Sequence, residues 1–124
     1  MKNTQAILIV AHGSRSKDAI LEFNQVVELV RAKQPLKTVY GAHMEINDPN
    51  IPSGIKHLSE SGATEITVIP YFLFMGNHSK HDIPEIVNGE KHLYPNITFK
   101  IGKPFGVDSL IADLLLKRIE ECDK

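Results

Sequence analysis

Short β-branched runs alternate with longer segments of 3.6-residue apolar period along this chain, and that alternation restricts it to βα units built on a parallel sheet. Residues 6–11, Ala-Ile-Leu-Ile-Val-Ala, read as strand one. Ile20, Phe23, Val27 and Val30 then recur at helical spacing until Gln34-Pro35 stops the helix. Residues 37–44 read as strand two, with Val39 inward and Ala42 a second inward candidate. Asp48 is the expected N-cap of helix two, with Pro49 in its first position, Ile51, Ile55 and Leu58 as its buried stripe and Gly62 at its end. Residues 65–69 form a strand apolar enough to be central. Asp82-Ile83-Pro84-Glu85 resembles a capping box opening helix three, anchored by Ile86 and Leu93 and closed by Pro95. Residues 97–101 make strand four, and Asp108 caps a last helix whose Leu110, Ile111, Leu114, Leu115 and Ile119 are expected to face the sheet.

Right-handed crossovers then give an α/β, three-layer fold of about four parallel strands in flavodoxin-like order 2-1-3-4, with helices on both faces. At 124 residues the chain is read as one domain, 1–124, able to bury a core without disulfides or a structural metal. No repeat or linker interrupts it.

In an open α/β sheet, ligands bind beyond the carboxyl ends of the strands at the point where strand order reverses. That point lies between strands one and three, and each of them runs into a histidine. His12 follows strand one in Ala11-His12-Gly13-Ser14, and His78 closes the apolar run Tyr71-Phe72-Leu73-Phe74-Met75-Gly76-Asn77-His78. Two neutral imidazoles converging on one crevice suit a late divalent transition metal. A helix start just after His78 disfavours the imidazolium there, and the neutral ring is the form that ligates. Taken singly, His12 reads more readily as a hydrogen-bonded structural residue, whereas His78 gains weight from the apolar run before it, and the two together favour a shared site. Ser14 is a candidate helix cap or ligand contact beside Gly13. The run 72–75 reads either as core or as an apolar wall for a flat ligand, with Gly76 turning the chain towards it.

His43 and Glu45, two residues apart at the end of strand two, are expected on one face. Glu45 is a proton acceptor or third ligand in one reading and a rim charge in the other. Arg15, Lys17 and Lys80 are expected near the same edge, as solvated charges or as receivers of substrate carboxylates. His81 is read as a solvated residue before a helix cap, with an auxiliary-ligand role as the alternative, and His57 and His92 as helix-surface residues. A net charge of -1 and the absence of Trp give no general footprint for nucleic acid. Cys122, the single cysteine, leaves no intrachain disulfide and no Cys-ligated cluster. With no signal peptide or spanning segment legible at the start, the expected location is the cytoplasm and no membrane partner is expected. No Gly-rich lysine loop is present, so no nucleotide is expected.

The motifs Ala11-His12-Gly13-Ser14-Arg15, Glu45 followed by Pro49-Asn50-Ile51, and Phe72-Leu73-Phe74-Met75-Gly76-Asn77-His78 with Asp82-Ile83-Pro84 resemble, in order, the short class II sirohydrochlorin chelatases of the cobaltochelatase type. The resemblance implies ATP-independent insertion of a divalent metal into the tetrapyrrole sirohydrochlorin. Cobalt is the first expectation, and iron or nickel are the alternatives. It implies His12 and His78 as the metal-binding and catalytic pair, with Glu45 as acidic helper. It also implies a homodimer closing over the macrocycle. Ser14, Arg15, Phe74, Met75, Gly76 and Lys80 become the candidate substrate contacts. The competing readings are a metal or tetrapyrrole carrier using the same pocket, and a histidine-phosphatase-like enzyme. The latter lacks its phosphate-binding arginine, because Ala11 stands there.

Overall fold

Residues 6–10 are apolar at every position, and the reason lies in where their strand sits. The computed structural model describes residues 3–77 and 79–123. In it β1 (Gln5–Ala11) lies inside a four-stranded parallel sheet of order β2-β1-β3-β4, with β2 at Thr38–His43, β3 at Glu65–Pro70 and β4 at Thr98–Ile101. Among the described residues the helices are α1 (Lys17–Lys33), α2 (Ile51–Glu60), α3 (Ser79–Lys91) and α4 (Ser109–Glu121). The order 2-1-3-4 is the one the sequence predicts. Ala11 pairs with His43 and Val10 with Pro70, so β1, β2 and β3 end at one rim.

Alternation of side chains along the strands sorts the core into two layers. Leu8, Val10, Ala42, Ile66 and Val68 face α2 and α3, where Ile51, Ile55, Leu58, Ile83 and Val87 meet them with no exposed surface. Ile9 and Val39 face the other way and pack on Phe23 and Val27 of α1. Val39 and Ala42 are therefore both buried, on opposite faces. Leu8, Ile55 and Ile66 each remove enough apolar area to contribute about 1.5–3 kcal/mol.

Three helix details depart from the expectations. Asn50, not Asp48, caps α2: its Oδ1 accepts from the Ser53 amide at 2.9 Å. The His43 amide donates to the Pro49 carbonyl at 2.8 Å, so residues 48–50 still run along the end of β2 and the helix cannot yet begin. Gly62, with φ of 93°, follows the C-cap Ser61 as expected. Helix α3 opens at Ser79, ahead of the expected box, because the Lys80 amide already donates to the Gly76 carbonyl at 3.1 Å. Asp82 thus lies in its first turn and Pro84 inside it. Ile83 and Val87 are its buried anchors with Ile86 beside them, while Leu93 is exposed, past the end of the helix at Lys91.

The largest departure is α4. Asp108 caps it as expected, accepting from the Leu110 amide at 2.9 Å. Yet none of its residues is buried, and Leu110, Leu114, Leu115 and Ile119 are each at least 46% exposed. The cause is the connection before it. The amides of Phe105 and Gly106 donate to the carbonyls of Phe72 and Leu73, at 2.9 and 2.8 Å. This clips residues 102–106 to the segment following β3, so the chain leaves from the carboxyl rim and does not fold back over β4. Among the described residues, the buried contacts on the face of the sheet opposite α2 and α3 come from α1.

Candidate functional site

The carboxyl rim is built by hydrogen bonds that continue the sheet beyond its strands. The Met44 amide donates to the Ala11 carbonyl at 2.8 Å, the Glu45 amide to the His12 carbonyl at 3.2 Å, and the Tyr71 amide to the Val10 carbonyl at 2.7 Å. The segments after β2 and β3 are thereby held on either side of the segment after β1. Gly13 makes that approach sterically feasible. Its φ is 110°, and a Cβ there would overlap the Glu45 carbonyl. Ile46, at φ of 73°, then turns the chain, and the Asn47 side chain accepts from the Ser14 amide at 2.7 Å. Sequence reasoning passed over Asn47; its signal was an Asn in the turn after Glu45, a residue type that bonds nearby backbone.

This backbone presents His12 and Glu45 to one another at the rim. Nδ1 of His12 lies 3.5 Å from Oε1 of Glu45, and both side chains are more than half exposed. The His12 ring rests on Phe72, centroids 5.4 Å apart, and Phe72 is buried. An imidazole and a carboxylate side by side at an open edge offer two donors to a hydrated cation, or a base next to an acid, and leave the remaining positions for water and ligand. Among the described residues no group of three or more His, Cys, Asp and Glu side chains is gathered for a metal.

The other expected site residues divide. Ser14 is at the site, but its hydroxyl oxygen accepts from the Ser16 amide at 3.0 Å, and Ser16 is the cap of α1. The run after β3 is core and wall at once: Phe72 packs inward, Met75 lies partly against the core, and Leu73 and Phe74 are exposed. Gly76 is exposed and its carbonyl receives the Lys80 amide. Arg15 and Lys80 are exposed and form no ion pair among the described residues. His81 is an exposed residue of α3, and His57 and His92 are exposed as expected. His78 lies outside the described residues.

His43 and Glu45 do not share a face. His43 is 4% exposed and sits edge-on to Phe23 at 5.3 Å, whereas Glu45 stands out at the rim. The period of two along β2 already aligns residue 43 with 39 and 41, which face α1, while the chain leaves the strand before Glu45. Burial pushes the His43 imidazole below its ordinary value, and the nearby Asp48 carboxylate offsets part of that.

The family model described as CbiX matches residues 6–122. The chain belongs to the CbiX family. It is 35% identical over 116 residues to a sirohydrochlorin ferrochelatase of Priestia megaterium, covering 94% of this chain and 44% of that one. It is also 35% identical to a sirohydrochlorin cobaltochelatase of Sulfurisphaera tokodaii, covering 93% of this chain and 91% of the relative. The sirohydrochlorin chelatase SirB of Bacillus subtilis subspecies spizizenii, solved in complex with cobalt, superposes with a TM-score of 0.89 at 35% identity, over 95% of this chain and 50% of that one. This CbiX-family chain thus spans about half the length of several curated relatives it matches, such as the ferrochelatase of Priestia megaterium. Among its described residues no helix is long and apolar enough to cross a membrane.

Proposed function

We propose that this chain inserts a divalent metal, cobalt first, into sirohydrochlorin without a nucleotide, as a single domain that works in the cytoplasm as a homodimer. The observation that carries the reading is the exposed His12–Glu45 pair, 3.5 Å apart at the carboxyl rim of a CbiX-family sheet. Insertion exchanges one M²⁺ for two pyrrole N–H protons. His12 and His78 hold the incoming ion through two imidazoles and leave its other positions to water and ring nitrogens; a closed four-ligand cage would retain the ion. Glu45, beside His12, accepts a proton as the metal enters. Leu73 and Phe74, exposed next to the rim, offer an apolar surface to the macrocycle, with Met75 and Gly76 following. Ser14, Arg15 and Lys80 are the polar and cationic contacts for its carboxylates.

The exposed apolar face of α4 supports the homodimer. A stable interface takes about 800 Å² from each partner, and monomers rarely leave so large a contiguous apolar patch in water. A second copy supplies the opposing lobe over a macrocycle that one rim alone leaves open. Both a ferrochelatase and a cobaltochelatase relative stand at 35% identity, so iron is the second reading for the metal.

The test is anaerobic insertion into sirohydrochlorin, followed by its absorption change with Co²⁺, Fe²⁺ and Ni²⁺ against the protein-free reaction. His12→Ala and His78→Ala are expected to lower the rate at least 100-fold while the circular dichroism spectrum is retained. Glu45→Gln is expected to lower kcat by a factor within the 10²–10⁴ typical of a positioned acid–base group. Full activity in both histidine variants would overturn the assignment. Stoichiometric binding of the tetrapyrrole or metal with no turnover would make the chain a carrier.

A further inference from the structure

The backbone is most strained directly after Glu45. Ile46, at φ of 73°, is the non-glycine residue with positive φ among the described residues. A β-branched side chain in that region crowds its own backbone, and such residues are outliers. The Asn47 amide donates to the Glu45 carbonyl at 2.8 Å, so residues 45–47 make the rare, strained form of the three-residue turn. Burial does not offset the strain, because Ile46 is 59% exposed. A conformation of this kind persists only where its surroundings impose it, and such places gather at functional sites.

Two hydrogen bonds to the segment after β1 impose it here. The Glu45 amide donates to the His12 carbonyl at 3.2 Å, and the Ser14 amide donates to Asn47 Oδ1 at 2.7 Å. The first is backbone to backbone and does not depend on the side chains. The second depends on an acceptor side chain at position 47, which is half-buried. The His43 amide, donating to the Pro49 carbonyl at 2.8 Å, closes the base of the same loop on β2. Within this frame the Glu45 side chain is more than half exposed, and His12 is its ion-pair partner among the described residues. Little packing fixes the carboxylate, so its place 3.5 Å from His12 Nδ1 follows from the direction of the backbone at 45 and 46.

We propose that Asn47 is a positioning residue for metal insertion: by holding the Ser14 amide it keeps the turn at Ile46 wound and aims the Glu45 carboxylate at the edge beside His12. The role rests on the chelatase reading above, in which a pyrrole N–H proton passes to Glu45 while the nitrogen lone pair takes up the metal. Proton transfer needs donor and acceptor within hydrogen-bond reach, and a misplacement of about 1 Å costs up to about 100-fold in rate. Without the Asn47 acceptor the strain at Ile46 is free to unwind, and Glu45 swings away from the pair.

The experiment uses the full chain, with sirohydrochlorin and Co²⁺ for the kinetics and neither for NMR. Asn47→Ala is expected to lower kcat about tenfold, with KM within twofold. That loss corresponds to about 1.4 kcal/mol, the size of one such hydrogen bond. In a Glu45→Gln background, where no carboxylate is left to aim, Asn47→Ala is expected to change the rate less than twofold. Ile46→Gly removes the strain, so in that background Asn47→Ala is expected to cost no more than threefold, which also guards against an unfolded single variant. In NMR spectra Asn47→Ala is expected to shift the Ser14 and Glu45 amides and to lose the nuclear Overhauser contact between the Glu45 side chain and the His12 ring, with the amides of Leu8 and Val68 unmoved. An equal loss of rate in the Glu45→Gln background, or a retained His12–Glu45 contact, would make Asn47 a structural residue only and overturn its positioning role. A chain that inserts no metal yet loses that contact in Asn47→Ala loses the chelatase reading and keeps Asn47 as the residue that sets the pair.

Discussion

Replacing Gly13 with alanine combines two penalties that three glycines of this chain allow to be separated. At Gly89, inside α3, an added Cβ meets nothing within 4 Å and the backbone is helical. Gly89→Ala is therefore expected to stabilise by about 0.5–1 kcal/mol, the difference in helix propensity. At Gly62 the space is also open but φ is 93°. The left-handed backbone costs alanine about 1–2 kcal/mol, less about 0.4–1 kcal/mol gained by restricting the unfolded chain, for a net loss of about 1 kcal/mol. At Gly13 φ is 110° and the Cβ would stand 2.9 Å from the Glu45 carbonyl carbon, overlapping its oxygen. The obstruction is backbone, so the segments after β1 and β2 must part. That weakens the Glu45-to-His12 and Met44-to-Ala11 hydrogen bonds, at about 1 kcal/mol each. With the conformational term, Gly13→Ala should cost about 3 kcal/mol. For a urea slope of about 1.5 kcal/mol/M this lowers the unfolding midpoint by about 2 M. The same separation pulls Glu45 from His12, so insertion activity should fall further than stability under native conditions explains. The order Gly89, Gly62, Gly13 in urea melts of the three variants is the check. A Gly13 variant that unfolds with the Gly62 variant would refute the claim that backbone contact, and not local conformation, holds the rim together.

Two further perturbations read other parts of the molecule. His43 has its folded-state value pushed below the ordinary 6.5 by burial. The unfolded chain therefore takes up the proton first as pH falls through about 6.5, and stability is lost from there down towards the folded value, by at most about 1.4 kcal/mol per pH unit. His43→Phe should flatten that part of a urea-midpoint profile between pH 5 and 7, and an unchanged slope would assign the acid sensitivity to other groups. On α4, Leu114→Glu and Leu115→Lys alter exposed side chains and should leave the monomer's helical content intact while shifting sedimentation from dimer to monomer. Unchanged sedimentation would separate the α4 face from self-association.

Strand order, the two-layer core and the rim position of His12 were legible because each follows from periodicity and from topology rules that act on neighbouring residues. The Glu45 position was legible from its motif, though not the reason it reaches His12, which is a backbone approach made at Gly13. What was not legible depends on events away from the residue concerned. Asp48 has the chemistry of a cap, and so does Asn50; the choice falls to a Pro49 carbonyl already engaged by the strand. Asp82 has the chemistry of a cap too, but α3 opens earlier, through the Gly76 carbonyl.

Helix α4 carries the sharpest lesson about reading function from pattern. Its stripe of Leu110, Leu114, Leu115 and Ile119 has the spacing of a core-facing helix, and in a βα alternation the nearest apolar surface is the sheet. Periodicity states that a face must be covered; it does not state by what. Here the clip between residues 105–106 and the carbonyls of Phe72 and Leu73 directs the helix past the rim, and a cleft of about 530 Å³ between Tyr71, Leu73, Phe105 and Leu114 remains beside it. The chain thus leaves apolar surface next to the His12–Glu45 edge, where an α/β protein meets its ligand. A helix folded back onto β4 would have buried that surface and left the rim without an apolar neighbour. The same departure that defeats the sheet-facing expectation for α4 is what leaves apolar surface exposed beside the candidate site.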